Sequence, residues 1–144
     1  MAKRSSRNTR LKATRAGQTE PVLGSHRLTA FVATRDPGRA KAFYGETLGL
    51  HLINEDQFAL VFDAAGTMLR VTTVPEVATA NYTVLGWHVP DIVRTAKSLQ
   101  KKHVSLERYA GMQQDELGIW KSPSGARVAW FKDPDGNTLS ITQF

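Results

Sequence analysis

Phe131-Lys-Asp-Pro-Asp-Gly-Asn-Thr-Leu-Ser-Ile-Thr142 has an earlier counterpart, Phe62-Asp-Ala-Ala-Gly-Thr-Met-Leu-Arg-Val-Thr72. One inserted residue in the turn aligns the two stretches. Gly66 then falls on Gly136, Leu69 on Leu139, Val71 on Ile141 and Thr72 on Thr142, while Arg70 falls on Ser140. A repeated unit implies a pseudo-symmetric fold. It also marks the side chains that occupy equivalent places in the two copies.

The repeat extends to the start of each copy. A shift of 55 residues places Asp36 on Asp91 and Arg39 on Arg94, so Asp-x-x-Arg opens a helix in both. The same shift puts Thr29 on Val84 and Phe31 on Gly86. Leu28 to Thr34 reads as an apolar strand bounded by polar residues. Asp36 is an N-cap, Pro37 stands at the first helical position, and Gly49 stops the helix after Leu48. Leu50 to Asn54, Gln57 to Phe62 and Met68 to Val74 read as strands, with Asp63 to Gly66 as a turn. Pro75 to Ala80 is a linker.

The second copy opens with a strand at Tyr82 to Val89. A helix capped by Asp91 follows, with Ile92, Ala96 and Leu99 on one face. Val104 to Tyr109 reads as a strand, Gly111 to Gly125 as irregular with pairing at Leu117 to Trp120. Arg127 to Lys132 and Asn137 to Phe144 form a hairpin around Asp-Pro-Asp-Gly. Each copy is therefore β-α-β-β-β. The expected domain spans 28–144, with modules 28–74 and 82–144.

Charge separates this domain from what precedes it. Residues 1–27 carry seven basic residues against Glu20 alone, which accounts for the whole net charge of +6. The remainder is formally neutral. Residues 1–27 read as a basic disordered tail poor in core-forming residues. An organelle transit peptide and a weak nucleic-acid-binding arm are the competing readings. With no aromatic residue in the tail, nucleic acid would be held by charge alone. Cysteine is absent, which excludes disulfides, thiolate metal sites and Cys nucleophiles. No apolar run reaches the ~20 residues of a membrane span. Met1 to Thr19 lacks a signal-peptide core, and the expected location is cytoplasmic.

Two stretches carry a family resemblance: Arg35-Asp-Pro-x-Arg-Ala-x-x-Phe-Tyr44 followed by Leu48-Gly-Leu50, and Phe131-Lys-Asp-Pro-Asp-Gly-Asn137. In this order, within a duplicated βαβββ unit, the chain from Leu28 to Phe144 resembles the vicinal oxygen chelate superfamily. That group includes glyoxalase I, extradiol dioxygenases, and fosfomycin and bleomycin resistance proteins. The resemblance implies an α+β fold in which two modules form a curled mixed sheet around one cavity, helices outside. It also implies a homodimer.

Metal enzymes of the superfamily take His, Glu or Gln ligands from the first and last strands of each module. By alignment these positions are Thr29, Arg70, Val84 and Ser140 here. Val84 cannot coordinate, Thr29 and Ser140 offer neutral hydroxyls, and Arg70 is a permanent cation. No cofactor is expected. Strand alternation supports the register. It puts Thr29, Phe31, Ala33, Met68, Arg70 and Thr72 on the cavity side, with Val84, Gly86, His88, Thr138, Ser140 and Thr142. The apolar set Val32, Leu69, Val71, Leu85, Trp87, Leu139 and Ile141 falls on the other side, under the helices.

The expected ligand-binding residues are Thr29, Phe31, Arg70, His88, Trp120 and Ser140. Arg70 either pairs with an acid or binds an anion, for which its fork is suited. His88 lines the pocket, contacts ligand or acts as a base. Gln113 to Glu116 reads as a solvated loop or as a lid with Trp120 or Tyr109 stacking on a flat ligand, and Trp87 and Trp130 as core residues. The leading functional reading is a metal-free protein enclosing an aromatic or anionic organic ligand. A lyase, isomerase or dioxygenase acting in the same cavity is the alternative, with or without a divalent metal. A regulatory module whose tail contacts nucleic acid or a membrane is the third reading.

Overall fold

In the computed structural model, which describes residues 19–144, the two copies form two separate four-stranded sheets. Sheet one holds β1 (Thr29–Thr34), β2 (His51–Glu55), β3 (Ala59–Ala64) and β4 (Thr67–Thr73) in the order β1-β4-β3-β2. Sheet two holds β5 (Leu85–His88), β6 (Trp120–Lys121), β7 (Arg127–Lys132) and β8 (Thr138–Gln143) in the order β5-β8-β7-β6. In each sheet the first and last strands run parallel and the other pairs antiparallel. Residues Thr19 to Arg27 are exposed and belong to no helix or strand. The rest of the basic tail lies outside the described residues.

The helices begin alike. Asp36 accepts a hydrogen bond from the Arg39 amide at 3.1 Å, and Asp91 accepts one from the Arg94 amide at 3.1 Å. These caps satisfy amides that lack intrahelical partners. The first helix differs from a plain α-helix. Its α1 portion (Pro37–Lys41) continues into a π-helical segment (Ala42–Thr47), closed by Leu48 N–H donating to Phe43 O at 2.9 Å. Gly49 ends it at φ +77°, a conformation glycine adopts without steric cost. The second helix, α2 (Ile92–Lys101), buries Ile92, Ala96 and Leu99.

The apolar faces of both sheets pack under these helices, as alternation predicts. Leu69, Val71, Leu139 and Ile141 are each 3% exposed or less. Core residues from both modules form one continuous cluster. Phe43, from the first helix, lies 6.5 Å from Phe131 on β7 of the second sheet. The helix-covered sides of the two modules are therefore packed on each other. Trp87 belongs to this packing, its ring stacked 6.4 Å from Phe131.

A buried polar network pins the modules together. Tyr44 Oη donates to Asp133 Oδ2 at 2.7 Å. Asn137 Nδ2 donates both to Asp133 Oδ2 at 2.7 Å and to Ala33 O at 2.9 Å. Asp135 accepts from Thr34 Oγ1 at 2.6 Å and from the Arg35 amide at 2.9 Å. The two sequence stretches that carry the resemblance thus touch. Asp133 Oδ1 accepts the Asp135 and Asn137 amides of the β7–β8 turn, and Asp133 and Asp135 both receive donors from the first module. Buried polar groups satisfied in this way fix a unique arrangement.

Two sequence expectations need correction. Val104 to Tyr109 forms no strand; only Leu106 bridges to Phe131, and the Glu107 amide donates to Trp130 O at 2.8 Å. The Gln114 side chain takes the place of a neighbouring strand. It accepts from the Tyr109 amide at 2.8 Å and donates to Glu107 O at 2.9 Å and Gly118 O at 2.8 Å. The fourth strand of sheet two is Trp120–Lys121 instead. Trp130 is also not a core residue, because it alternates with the buried Ala129 and Phe131 and lies on the opposite face.

Candidate functional site

The faces turned away from the helices carry the residues of interest. On sheet one, Arg70 sits at the centre of β4. Its Cα partners are Phe31 on β1 and Val61 on β3. Phe31 is 62% exposed and Met68 42% exposed, so this face is open and partly apolar. Thr29, at the start of β1, is half-buried opposite Met68.

Arg70 is half-buried, and its side chain makes no hydrogen bond or ion pair among the described residues. The acid whose titration it influences is Asp56, whose oxygen is already engaged by the Phe58 amide at 2.7 Å and the Ala59 amide at 3.0 Å. Those two amides, aided by the Arg70 charge, hold the Asp56 carboxyl below its usual range. The guanidinium keeps its donor fork available.

On sheet two the equivalent layer is Gly86–Ser140–Trp130. Ser140 is 6% exposed, and a Cβ on Gly86 would come within 2.8 Å of its Oγ. Small residues here leave the indole of Trp130 as the main surface. Trp120 lies 6.0 Å from Trp130 and Tyr109 5.5 Å from it, edge-on. The Trp130 indole N–H donates to Thr83 Oγ1 at 3.2 Å. Lys132 Nζ, on the same side, donates to Thr138 Oγ1 at 2.7 Å. Burial, then the nearby Glu107, pushes the Tyr109 phenol up, keeping it protonated. His88 ends β5, exposed, with its ring 5.1 Å from Phe144.

The structure thus brings Thr29, Phe31 and Arg70 together on one sheet, and Trp120 with Ser140 on the other. His88 stands at the edge of that second sheet. No hydrogen bond, ion pair or aromatic contact joins the two sets among the described residues. Trp130 and Lys132 are the neighbours that sequence reasoning missed, whereas Tyr109 is expected there as a stacking ring. The signal was present, since the hairpin register sets Trp130 beside Ser140.

The metal positions inferred by resemblance do not fit a divalent cation. Thr29, Arg70, Val84 and Ser140 offer two hydroxyls, an alkyl group and a guanidinium, and the pairs lie on different sheets. Among the described residues no group of three His, Asp or Glu is placed to hold a metal. No helix among them is long and apolar enough to cross a membrane.

Two βαβββ modules with open sheet faces and helices on the reverse define a glyoxalase-like protein. The family model of the Glyoxalase/Bleomycin resistance protein/Dioxygenase superfamily matches residues 25–141, and the chain belongs to that superfamily. Similar solved structures include a lactoylglutathione lyase from Agrobacterium tumefaciens (16% identity, TM-score 0.64, covering 83% of this chain and 93% of that one). A superfamily member from Sphaerobacter thermophilus DSM 20745 shares 20% identity at TM-score 0.66, covering 83% and 98%. One from Alicyclobacillus acidocaldarius shares 16% at TM-score 0.61, covering 83% and 92%. At these identities the likeness concerns the fold. No curated protein matches the chain.

Proposed function

We propose that this protein binds a small aromatic or anionic organic molecule, without a metal, in a cavity closed by two copies of the chain. Sheet one of one copy would cover sheet two of its partner. The observation that carries this reading is Arg70, a half-buried cation with no partner among the described residues, beside the exposed ring of Phe31. A guanidinium fork beside an aromatic ring suits a flat carboxylate or phenolate. Trp120, Trp130 and Tyr109 would supply the stacking surface on the other wall. The open faces support the dimer, because Phe31, Met68 and Val84 are each at least 42% exposed in the single chain.

Calorimetric titration with a panel of aromatic carboxylates, starting from benzoate and phenylacetate, tests this. Binding by the wild type should weaken by about 1.5–3 kcal/mol in Arg70→Ala, the value of a charged hydrogen bond. Sedimentation velocity should show a dimer. Absence of binding across the panel, or a strictly monomeric protein, would overturn the reading. Stoichiometric Ni, Zn, Fe or Mn in protein purified without chelators would overturn its metal-free part.

A further inference from the structure

The helix side of the molecule holds a second, different cavity. A cleft of about 310 Å³ opens where the first helix, α2 and the back of sheet two meet. Its walls are Leu48, Leu50, Trp87, Leu99, Phe131 and Ile141. These belong to both modules, and the cleft lies on the face opposite Gly86, Ser140 and Trp130. The π-helical turn at Ala42–Thr47 widens the helix beside it and leads into Leu48. Such turns are frequent at functional sites.

We propose that this cleft is a binding site for a small amphiphile with a carboxylate head. The volume is at the small end of ligand pockets, roughly 300–1,000 Å³, which fits a short acyl or arylalkyl body. The apolar walls would bury that body. Among the described residues, Lys102 is the only lysine or arginine lining the cleft, His88 lines it too, and no carboxylate does. Lys102 forms no ion pair among the described residues.

The surroundings favour the same head group. Thr47 and Lys102 also line the adjoining polar cleft, which contains Arg39. Of the two acids in that cleft, Asp133 is already occupied by Tyr44, Asn137 and two turn amides, which leaves Glu107 against three basic residues, Arg39, Lys102 and Lys132. The end of α2 does not compete for the Lys102 ammonium, because its carbonyls at Ser98, Leu99 and Gln100 already accept the amides of Lys102, His103 and Val104. An apolar body with one negative end therefore has a complementary place for each part. The site is independent of the ligand reading for Arg70.

Sodium octanoate is the probe, with octan-1-ol and octylamine as controls, measured by titration calorimetry on the full chain. Octanoate should bind at least tenfold more tightly than octylamine. Lys102→Gln should weaken octanoate about tenfold and leave octanol unchanged. Ser98→Trp, an exposed helix position on the cleft rim, should abolish binding of both. Arg70→Ala should leave octanoate unaffected. Equal binding of octylamine, unchanged octanoate binding in Ser98→Trp, loss of it in Arg70→Ala, or no octanoate binding at millimolar concentration would each overturn the proposal.

Discussion

The two sheets share one backbone plan, yet their open faces are built from opposite choices. At equivalent positions sheet one has Phe31–Arg70–Val61 and sheet two has Gly86–Ser140–Trp130. One layer projects a ring and a cation from its first two strands. The other is flat at those strands and rises at the third. The reverse faces show no such divergence: Leu69 matches Leu139, Val71 matches Ile141, and all are buried. Duplication has thus kept what the helices cover and changed what faces outward. The packed side must keep its volume, because cavities and overpacking both cost stability. The open side is less constrained at Phe31 and Met68, which are exposed, than at Gly86 and Ser140, which pack closely.

The comparison can be broken most forcefully on its shared side. Leu69→Ala and Leu139→Ala should each cost about 2–5 kcal/mol in urea denaturation. A loss confined to one of them would mean that the two modules are not equivalently packed. The link between modules should be comparably costly to cut. Asp133→Ala leaves Tyr44, Asn137 and two turn amides without their acceptor, and a loss of about 3 kcal/mol or more is expected.

Making the open faces alike is the next test. Gly86→Phe copies the Phe31 position into sheet two, where even a Cβ would meet Ser140 Oγ at 2.8 Å. A loss of about 1–3 kcal/mol is expected from this overpacking. The reverse change, Phe31→Gly, removes an exposed ring and should act chiefly through strand propensity, about 1 kcal/mol or less. Equal effects in the two experiments would remove the asymmetry argued here.

Titration gives a smaller effect, read at two groups of the first module, one tied to the second module and one not. Tyr44 is held protonated by burial and by the neighbouring Asp133 charge, so its pKa is raised on folding. Its stabilising contribution is complete below the unfolded value of about 10 and declines as pH rises above it. The melting temperature should fall above about pH 10, and Tyr44→Phe should flatten that part of the curve. Asp56 works in the other direction, since its pKa is lowered on folding by the Phe58 and Ala59 amides. Its contribution is present above the unfolded carboxylate value and fades as pH falls through the folded one. Asp56→Asn should therefore shrink the acid-side fall in melting temperature slightly.

Much of this architecture was legible before folding. The aspartates at 36 and 91 cap their helices as their spacing predicts. The glycines at 66 and 136 both adopt positive φ, as their matching turns require. Alternation along β4 sorted buried from open residues, because a strand has a fixed period of two, whereas along β8 Thr138 and Ser140 are buried together with Leu139 and Ile141. Of the candidate site, the sequence gives residues more readily than arrangement: Arg70 and Phe31, expected on one face, are neighbours across β4 and β1. Trp130 was misassigned because an isolated tryptophan in an apolar run reads equally well on either face, and only its pairing with Ser140 decides.

What the sequence determined by itself is local and periodic: the duplicated βαβββ units, the caps and turns, and the chemistry absent from the aligned metal positions. Tertiary structure alone decided how those units meet. It packed the helix sides together and left the open faces without mutual contact within the described chain. It replaced an expected strand with the hydrogen bonds of Gln114. It also joined two distant motifs through Tyr44, Asp133 and Asn137. The physical reason is range. Period and capping depend on neighbours a few residues apart, whereas the choice of which face is buried against which depends on burying the largest apolar area while satisfying every polar group enclosed with it.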